Sequence, residues 1–425
     1  MDSQNMQEQN KKKNDNKAFL LGALTGALSI LAVVALVLVM VGGYYGLVAS
    51  KEAGKEQALQ DIENTDGVVV DEQMQEKMSV IEEIIDTYYY SDDVDDDTLE
   101  EGAYRGMLEA VGDPYTCYYS EEELNKLMEQ TSGIYYGIGA YVSLDETGLY
   151  PMITSPIAGS PAEEMDLRPG DIIYEVNGET TYGMDLDSVV ALIKGEEGTK
   201  VELTIARSTE TDYLYVEVER RRVEAPTVES EMFDNGMAYI QITEFSDITV
   251  DQFADALATA KGSGMKGLII DLRANPGGSL SSVVNIARML LPKGLIVYTE
   301  DKYGNRDEYS CNGKNEFDLP LVVLVDGNSA SASEVLAGAI KDYELGTLVG
   351  TKTFGKGIVQ QVINIRDGSA VKITTSSYYS PKGTNIHGTG IEPDLVCEFD
   401  GEAYYEEDYD NQLEYAKEVL AEMIQ

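Results

Sequence analysis

The chain has 425 residues, enough for two or three domains with a sizeable hydrophobic core. Its 76 acidic and 31 basic residues give a formal net charge of −45 with no basic stripe to offset it, which excludes a nucleic-acid partner. The three cysteines (Cys117, Cys311 and Cys397) form no metal-binding pattern with the single histidine, and the sequence does not decide whether two of them form a disulfide.

The N-terminal region predicts a membrane anchor. Residues 1–17 are polar and typical of a disordered cytoplasmic tail. Residues 18–45 are uncharged and exceed both the ~20 residues needed to span a bilayer and the about 7–15 of a secretory signal core. Lysines precede this stretch and acidic residues follow it. We therefore expect a single-pass signal anchor in the cell membrane, with everything after about residue 50 outside the cytoplasm.

A spacer and helical arm are predicted for residues 46–131. Apolar residues share one helical face from Met78 to Ile85, and a later helix is expected after Ser120, which can form a capping box with Glu123. The acidic run at 91–97 lacks the glycine and the spacing of a calcium loop, which favours a solvated loop over a cation site.

Residues 132–222 change to short strands separated by turns. A glycine loop opens this region and could offer free N–H groups to a terminal carboxylate while a peptide adds to the sheet edge. The loop consists of Tyr136, Gly137, Ile138 and Gly139. Alone it could be a strand bend, but with the later Pro-Gly-Asp and Val-Asn-Gly turns the region resembles a PDZ domain. Met165 and Asp166 depart from that resemblance, since a small Ala-Gly pair is common there.

Residues 223–400 alternate buried apolar strands with helices, and residues 401–425 predict a C-terminal helix. The predicted fold is therefore multidomain α/β: an N-terminal transmembrane helix, a helical arm, a β-rich domain, a layered α/β core and a terminal helix.

The central candidate is Ser331, in the run Asn-Ser-Ala-Ser-Ala-Ser-Glu. An apolar strand precedes this run and a helical pattern follows it, so the serine is predicted at a tight turn before a helix N-terminus, where N–H groups favour developing negative charge. A serine hydroxyl is a poor nucleophile unless a base takes its proton.

Lys356 is the predicted base. It lies between two glycines beside apolar residues, and burial there would lower its pKa. Gln360, four residues later, could hydrogen-bond the amine and fix its direction. His387 is a less favoured base, because it lies in a glycine-rich segment. A P-loop reading of residues 350–356 is disfavoured, because Gly357 replaces the hydroxyl that would hold Mg²⁺.

An oxyanion hole is predicted from the Asn-Pro-Gly-Gly turn at residues 275–278. Gly277 or Gly278 could bring a backbone N–H to a substrate carbonyl, and the N–H of Ala332 follows the nucleophile.

Three motifs together resemble the carboxyl-terminal processing peptidases: the serine run, Thr-Phe-Gly-Lys-Gly-x-x-Gln from Thr353, and Asp-Leu-Arg-Ala-Asn-Pro-Gly-Gly from Asp271. The resemblance assigns the nucleophile to Ser331, the general base to Lys356 and the orienting amide to Gln360. It implies protein or peptide substrates with free C-termini, no metal or organic cofactor, and a helical arm that can support a homodimer. The alternative is a catalytically silent cell-surface PDZ scaffold that only binds peptides.

Overall fold

The structure is a computed structural model that describes residues 69–91, 94–233 and 235–424. The predicted cytoplasmic tail (1–17) and transmembrane anchor (18–45) lie outside the described residues. Among the helices that are described, none is long and apolar enough to cross a membrane. The described residues belong to two units, one that ends at Val94 and one that begins at Asp95.

The described part of the first unit is helical. Helix α1, Glu72–Tyr88, begins where the Asp71 carboxylate accepts a hydrogen bond from the Met74 N–H at 2.8 Å. The second unit starts with α2 (Asp96–Glu109), β1 (Cys117–Tyr119) and α3 (Glu121–Ser132). The capping box predicted at Ser120 is confirmed, because Ser120 Oγ accepts from the Glu123 N–H and the Glu123 carboxylate accepts from the Ser120 N–H.

The β-rich domain is an antiparallel sheet with its own hydrophobic core. Its strand order is β3-β4-β5-β7-β8, which leaves β3 at an edge. Helices α4 (Pro161–Glu164) and α5 (Leu186–Ile193) complete the domain, and a two-stranded ribbon of β2 and β9 joins it to the next domain. The strands are β2 (Ile134–Gly137), β3 (Ala140–Leu144), β4 (Pro151–Pro156), β5 (Ile172–Val176), β6 (Glu179–Thr180), β7 (Lys200–Ala206), β8 (Leu214–Glu219) and β9 (Arg221–Glu224).

Asp166, one of the two residues that depart from the resemblance noted in the sequence, has a backbone conformation that favours glycine. Its φ of 57° lies in the left-handed region, which glycine adopts freely and aspartate tolerates better than most residues. The Asp166 carboxylate also binds Arg168 at 2.6 Å. The structure therefore accommodates Asp166 in place of the glycine without a change of fold.

A six-stranded sheet forms the centre of the last domain. Its order is β10-β11-β12-β15-β16-β19, with β10 antiparallel to β11 and all other pairs parallel. The strands are β10 (Val228–Met232), β11 (Met237–Ile242), β12 (Gly267–Asp271), β15 (Leu321–Val325), β16 (Thr347–Gly350) and β19 (Leu395–Val396), and the helices are α6 (Thr249–Gly262), α7 (Leu280–Ala287), α8 (Ala332–Asp342), α9 (Gly401–Glu407) and α10 (Asn411–Ile424).

Both faces of this sheet are buried, because side chains alternate along each strand. On β12, Leu268 and Ile270 pack into the cluster that contains residues of α6, α7 and α8, whereas Ile269 packs against α10. Burial on two faces requires apolar residues at every position, which is why β12 and β15 read as continuous hydrophobic runs. The predicted layered α/β core is confirmed.

A second, five-stranded sheet was not predicted. The antiparallel strands β13 (Gly294–Asp301), β14 (Arg306–Cys311), β17 (Ile358–Asn364) and β18 (Ala370–Tyr379) join β1 in it. Tyr378 on β18 extends into the main core and is 3% exposed. Tyr378 therefore connects this sheet to the main core. The three cysteines are all free.

The prediction of one continuous C-terminal helix is wrong. Helix α9 ends at Glu407, because the next residue, Asp408, has a left-handed φ of 55°. The Asp410 carboxylate then accepts from the Leu413 N–H at 3.0 Å as α10 begins. The same carboxylate binds Arg273 at 2.8 Å, and Arg273 also binds the buried Asp271. The break therefore lets α10 dock on the central sheet.

Candidate active site

Ser331 lies at the turn between β15 and α8, as the sequence predicts. Its φ of 53° and ψ of −111° place it in a sparsely populated backbone region, which costs of order 1–3 kcal/mol and must be held by the surrounding structure. Such strain is common at nucleophiles that follow a strand and precede a helix.

The other two serines of the motif are buried and hydrogen-bonded. Ser329 Oγ donates to the Leu272 carbonyl at 2.7 Å, and Ser333 Oγ donates to the Asn275 carbonyl at 3.0 Å. Both side chains fasten the turn to the segment after β12. Ser331 instead lines a cavity of about 200 Å³. Of the three serines, only Ser331 is therefore accessible from the cavity, whereas Ser329 and Ser333 have structural roles.

Lys356 is half-buried, with its Nζ 4.2 Å from the centre of the Tyr115 ring. Burial lowers the pKa of Lys356 below its ordinary value, and the charge of Lys372 lowers it further, while Asp113 acts in the opposite direction. The glycine that follows it has a packing role, because a Cβ on Gly357 would overlap the backbone of His387.

Glu334 connects the serine turn to the lysine loop. Its buried carboxylate accepts from the Ser331 N–H at 2.9 Å and the Lys356 N–H at 2.8 Å. It also accepts from Thr353 Oγ1 at 2.6 Å and the Gly355 N–H at 2.7 Å. Four donors therefore converge on one carboxylate, and they fix the two loops against each other.

Tyr378 makes a second connection. Its hydroxyl lies 2.8 Å from the carbonyl of Ser331 and is also within hydrogen-bond distance of the carbonyl of Lys356. Burial raises the pKa of Tyr378 well above its ordinary value, so the phenol stays protonated and remains a donor. Sequence reasoning identified neither Glu334 nor Tyr378, although Glu334 lies within the serine motif.

The side chains of Ser331 and Lys356 line neighbouring cavities rather than one. Ser331 shares its cavity with Gln360, whereas Lys356 lines another with Tyr115 and Phe354. Within residues 69–91, 94–233 and 235–424, no hydrogen bond joins Lys356 Nζ to Ser331 or to Gln360. Gln360 Nε2 donates instead to Thr374 Oγ1 at 3.1 Å. The predicted orienting role of Gln360 stays a prediction.

The Asn-Pro-Gly-Gly turn packs directly on Ser331. A Cβ on Gly277 would lie 2.7 Å from the Ala330 carbonyl oxygen and 2.8 Å from Ser331 Cβ, so only glycine fits there. The Gly277 N–H already donates to Asn275 Oδ1 at 2.8 Å. Gly278 and Ala332 both line the Ser331 cavity, and no described residue accepts a hydrogen bond from either N–H. These two, rather than Gly277, have N–H groups left to bind a substrate.

The structure argues against both alternative chemistries. A P-loop lysine is followed by a helix, whereas Lys356 is followed by β17. The side chain of His387 is exposed and does not line the Ser331 cavity.

The predicted peptide loop lines a separate groove of about 460 Å³. Tyr136, Gly137, Ile138 and Gly139 lie along it, between the free edge of β3 and helix α5. An edge strand beside a helix is the geometry in which a peptide can add to a sheet.

Three regions of the chain are similar to known protein families. Residues 236–397 match peptidase family S41, residues 152–207 match a PDZ domain, and residues 36–123 match the activating protease CtpB N-terminal domain. The carboxy-terminal processing protease CtpA of Bacillus subtilis (strain 168) is 37% identical over 324 residues, which cover 76% of this chain and 69% of the relative. This chain belongs to the carboxy-terminal processing proteases of peptidase family S41.

Other relatives agree with that family. The carboxyl-terminal-processing protease of Synechocystis is 37% identical over 301 residues, or 70% of each chain. The probable CtpA-like serine protease of Staphylococcus aureus (strain COL) is 36% identical over 325 residues, but this chain covers only 64% of its length. The solved photosystem II D1 C-terminal processing protease is 33% identical; the match covers 74% of this chain and 86% of that chain, with a TM-score of 0.45. In this S41 protease, the family match includes both Ser331 and Lys356.

Proposed function

We propose that this S41 protease is a membrane-anchored serine endopeptidase that captures unstructured protein C-termini in its PDZ groove and cleaves them with Ser331 and Lys356. The observation that carries the proposal is the pairing of a strained, accessible serine with a half-buried lysine of lowered pKa on two loops joined by Glu334.

In the proposed mechanism, Lys356 leaves the Tyr115 ring and reaches Ser331 when substrate is bound. Neutral Lys356 takes the proton as Ser331 Oγ attacks the scissile carbonyl carbon. The N–H groups of Gly278 and Ala332 stabilise the oxyanion, and the new ammonium gives its proton to the leaving amine. Water then hydrolyses the acyl-enzyme with Lys356 again acting as base. Gln360, on the Ser331 cavity wall, would accept a bond from the amine once it arrives.

Peptide capture is proposed to control this movement. The PDZ groove and the Ser331 cavity are distinct, so a bound tail can act on catalysis only by shifting the PDZ domain or the loops it touches. The membrane anchor at residues 18–45 and the extracytoplasmic location of the protease remain part of the proposal, supported by the uncharged stretch and the lysines before it. A homodimer through the helical arm likewise remains proposed.

The proposal is tested with an unfolded protein that ends in an apolar tail, supplied with a free or an amidated C-terminus. We expect cleavage of the free form to be at least about tenfold faster, because the amide removes the carboxylate that the PDZ loop would bind. Mass spectrometry of the products gives the cleaved bonds. Equal cleavage of both forms would remove C-terminal recognition, and binding without cleavage would favour the silent scaffold.

The pH dependence of cleavage tests the lysine base. Only neutral Lys356 can accept a proton, and its neutral fraction rises as pH rises through its pKa. Because burial lowers that pKa below the ordinary value of 10.5, we expect kcat/KM to rise with pH and to reach half its maximum below pH 10.5. Initial rates between about pH 6 and 11 measure this profile.

Two matched variants should move the profile in opposite directions. Lys372→Met removes a charge that lowers the pKa of Lys356, so the midpoint should rise. Asp113→Asn removes a charge that raises it, so the midpoint should fall. A profile that neither variant moves would assign the titration to a group other than Lys356.

A further inference from the structure

The PDZ groove is bounded by the protease core as well as by the PDZ domain. One wall consists of the free edge of β3 and the apolar residues Val190 and Ile193 of α5. Other lining residues are Val223, Ala225, Pro226 and Thr227, together with Thr243 and Glu244, which follow β11 of the core. A peptide added to β3 would therefore present some of its side chains to the protease core.

Two charged side chains line this groove, and they differ in their partners. Lys194 Nζ binds Glu129 at 2.6 Å and lies 4.9 Å from the centre of the Tyr135 ring, so its charge is balanced. The Glu244 carboxylate makes no hydrogen bond or ion pair with any residue that the structure describes. Burial alone raises the pKa of Glu244 above its ordinary value. The groove therefore holds one half-buried negative charge without a partner.

The surroundings of Glu244 suit a cation. Tyr135 and Tyr141 line the same groove as Glu244. Burial raises the pKa of each phenol, and the charge of Glu244 raises it further. Aromatic rings beside a carboxylate can contact the stem and the charged head of a lysine or arginine side chain. A half-buried carboxylate loses part of its hydration, and a cation brought by the ligand can compensate for that loss.

We propose that the groove selects C-terminal tails that carry a lysine or arginine side chain, which Glu244 of the protease core binds. This inference rests on the proposed capture of C-termini by the groove. The favoured substrates are protein tails that have an apolar C-terminal residue and a positively charged side chain close to it.

Strand geometry gives the position of that charge. On β3, Ala140 and Val142 pack against the PDZ core, whereas Tyr141 is exposed on the opposite face and lines the groove together with Glu244. Side chains of an added strand alternate in the same way. If the last side chain of the peptide points towards α5, the second-last and fourth-last point towards Tyr141 and Glu244. The third-last points back towards α5 and serves as an internal control.

The test measures binding to the full chain carrying Ser331→Ala, so that no peptide is cut. Fluorescent ten-residue peptides with an apolar, free C-terminus carry either lysine or norleucine at the second-last, third-last or fourth-last position. We expect lysine at the second-last or fourth-last position to bind about five- to tenfold more tightly than norleucine, and no such preference at the third-last position.

Three further variants assign the preference to Glu244. In Glu244→Gln the preference for lysine should fall below about twofold. Glu244→Lys should reverse it in favour of glutamate at the same position, a gain that a misfolded protein cannot produce. Glu179→Gln removes one charge from an exposed hairpin outside the groove and should leave the lysine preference unchanged.

The outcomes separate this inference from the proposed function. If tails bind but Glu244→Gln keeps the full lysine preference, or if the preference is equal at the third-last position, the role of Glu244 is overturned while C-terminal capture stands. If amidated and free peptides bind equally, or no peptide binds, both are overturned. If Glu179→Gln also lowers the preference for lysine, that preference arises from the overall negative charge of the protein and not from Glu244.

Discussion

Replacing Ser331 by alanine is expected to lower kcat/KM for peptide cleavage by about 10⁴-fold or more, because the proposed acyl-enzyme forms on the Ser331 hydroxyl. Lys356→Met should cost a similar amount, since the serine then has no base. The double variant should be no worse than either single variant, because nucleophile and base act as a unit. Steady-state rates on one tailed substrate, with wild type as reference, measure all three.

Ser333→Ala is the matched control for Ser331→Ala. Ser333 is buried and donates to the Asn275 carbonyl, so its loss should cost about 1 kcal/mol of stability while cleavage is retained. Lys356→Arg keeps the positive charge but cannot become neutral, so it should be as inactive as Lys356→Met. Substantial cleavage by Ser331→Ala at the wild-type bonds would show that the nucleophile is a different residue.

Replacing Glu334 by glutamine is expected to lower kcat/KM by about 10²- to 10³-fold, the second large effect that we predict. The native carboxylate accepts two donors on each oxygen. An amide keeps one acceptor oxygen but turns an NH₂ group towards the other two donors, and leaving buried donors unpaired costs about 1–3 kcal/mol each. The loops that carry Ser331 and Lys356 would then separate or shift, and a displacement of about 1 Å can cost about 10²-fold in rate.

A graded series tests this role. Thr353→Val removes only one of the four donors to Glu334, so its loss of activity should be smaller than that of Glu334→Gln. It also leaves the Ile391 N–H without its acceptor, which adds to its loss of stability. Denaturant unfolding of each variant separates local displacement from global unfolding. Normal cleavage and normal stability in Glu334→Gln would show that the four hydrogen bonds do not position the site.

The parts of the site that the sequence reveals are those with a local signature. Ser331 follows a buried strand and precedes a helix within a few residues, and Lys356 lies between two glycines. Glu334 and Tyr378 have no such signature, because their roles depend on contacts 22 and 47 residues away along the chain. The position of the Lys356 side chain against Tyr115 is longer-range still, since the segment that carries Tyr115 is held near the lysine loop by the pairing of β1 with β18.

In the fold, too, the elements with a local sequence signature are predicted and those without one are missed. Strands β12 and β15 are predictable because burial on both faces demands unbroken apolar runs. Strand β14 is missed because it is mostly exposed and carries charged residues, so neither alternation nor hydrophobicity marks it. The stop at Asp408 is missed because a single left-handed residue outside glycine leaves no composition signal.

The parallel pairing of β12, β15 and β16 brings together the glycine turn, the serine turn and the lysine loop from three distant stretches of chain. Pairing of this kind forms late and slowly, because a large loss of chain entropy precedes the first favourable contact. The proposed catalytic groups therefore come together only once these strands have paired, so a newly synthesised copy is expected to lack peptidase activity before that step.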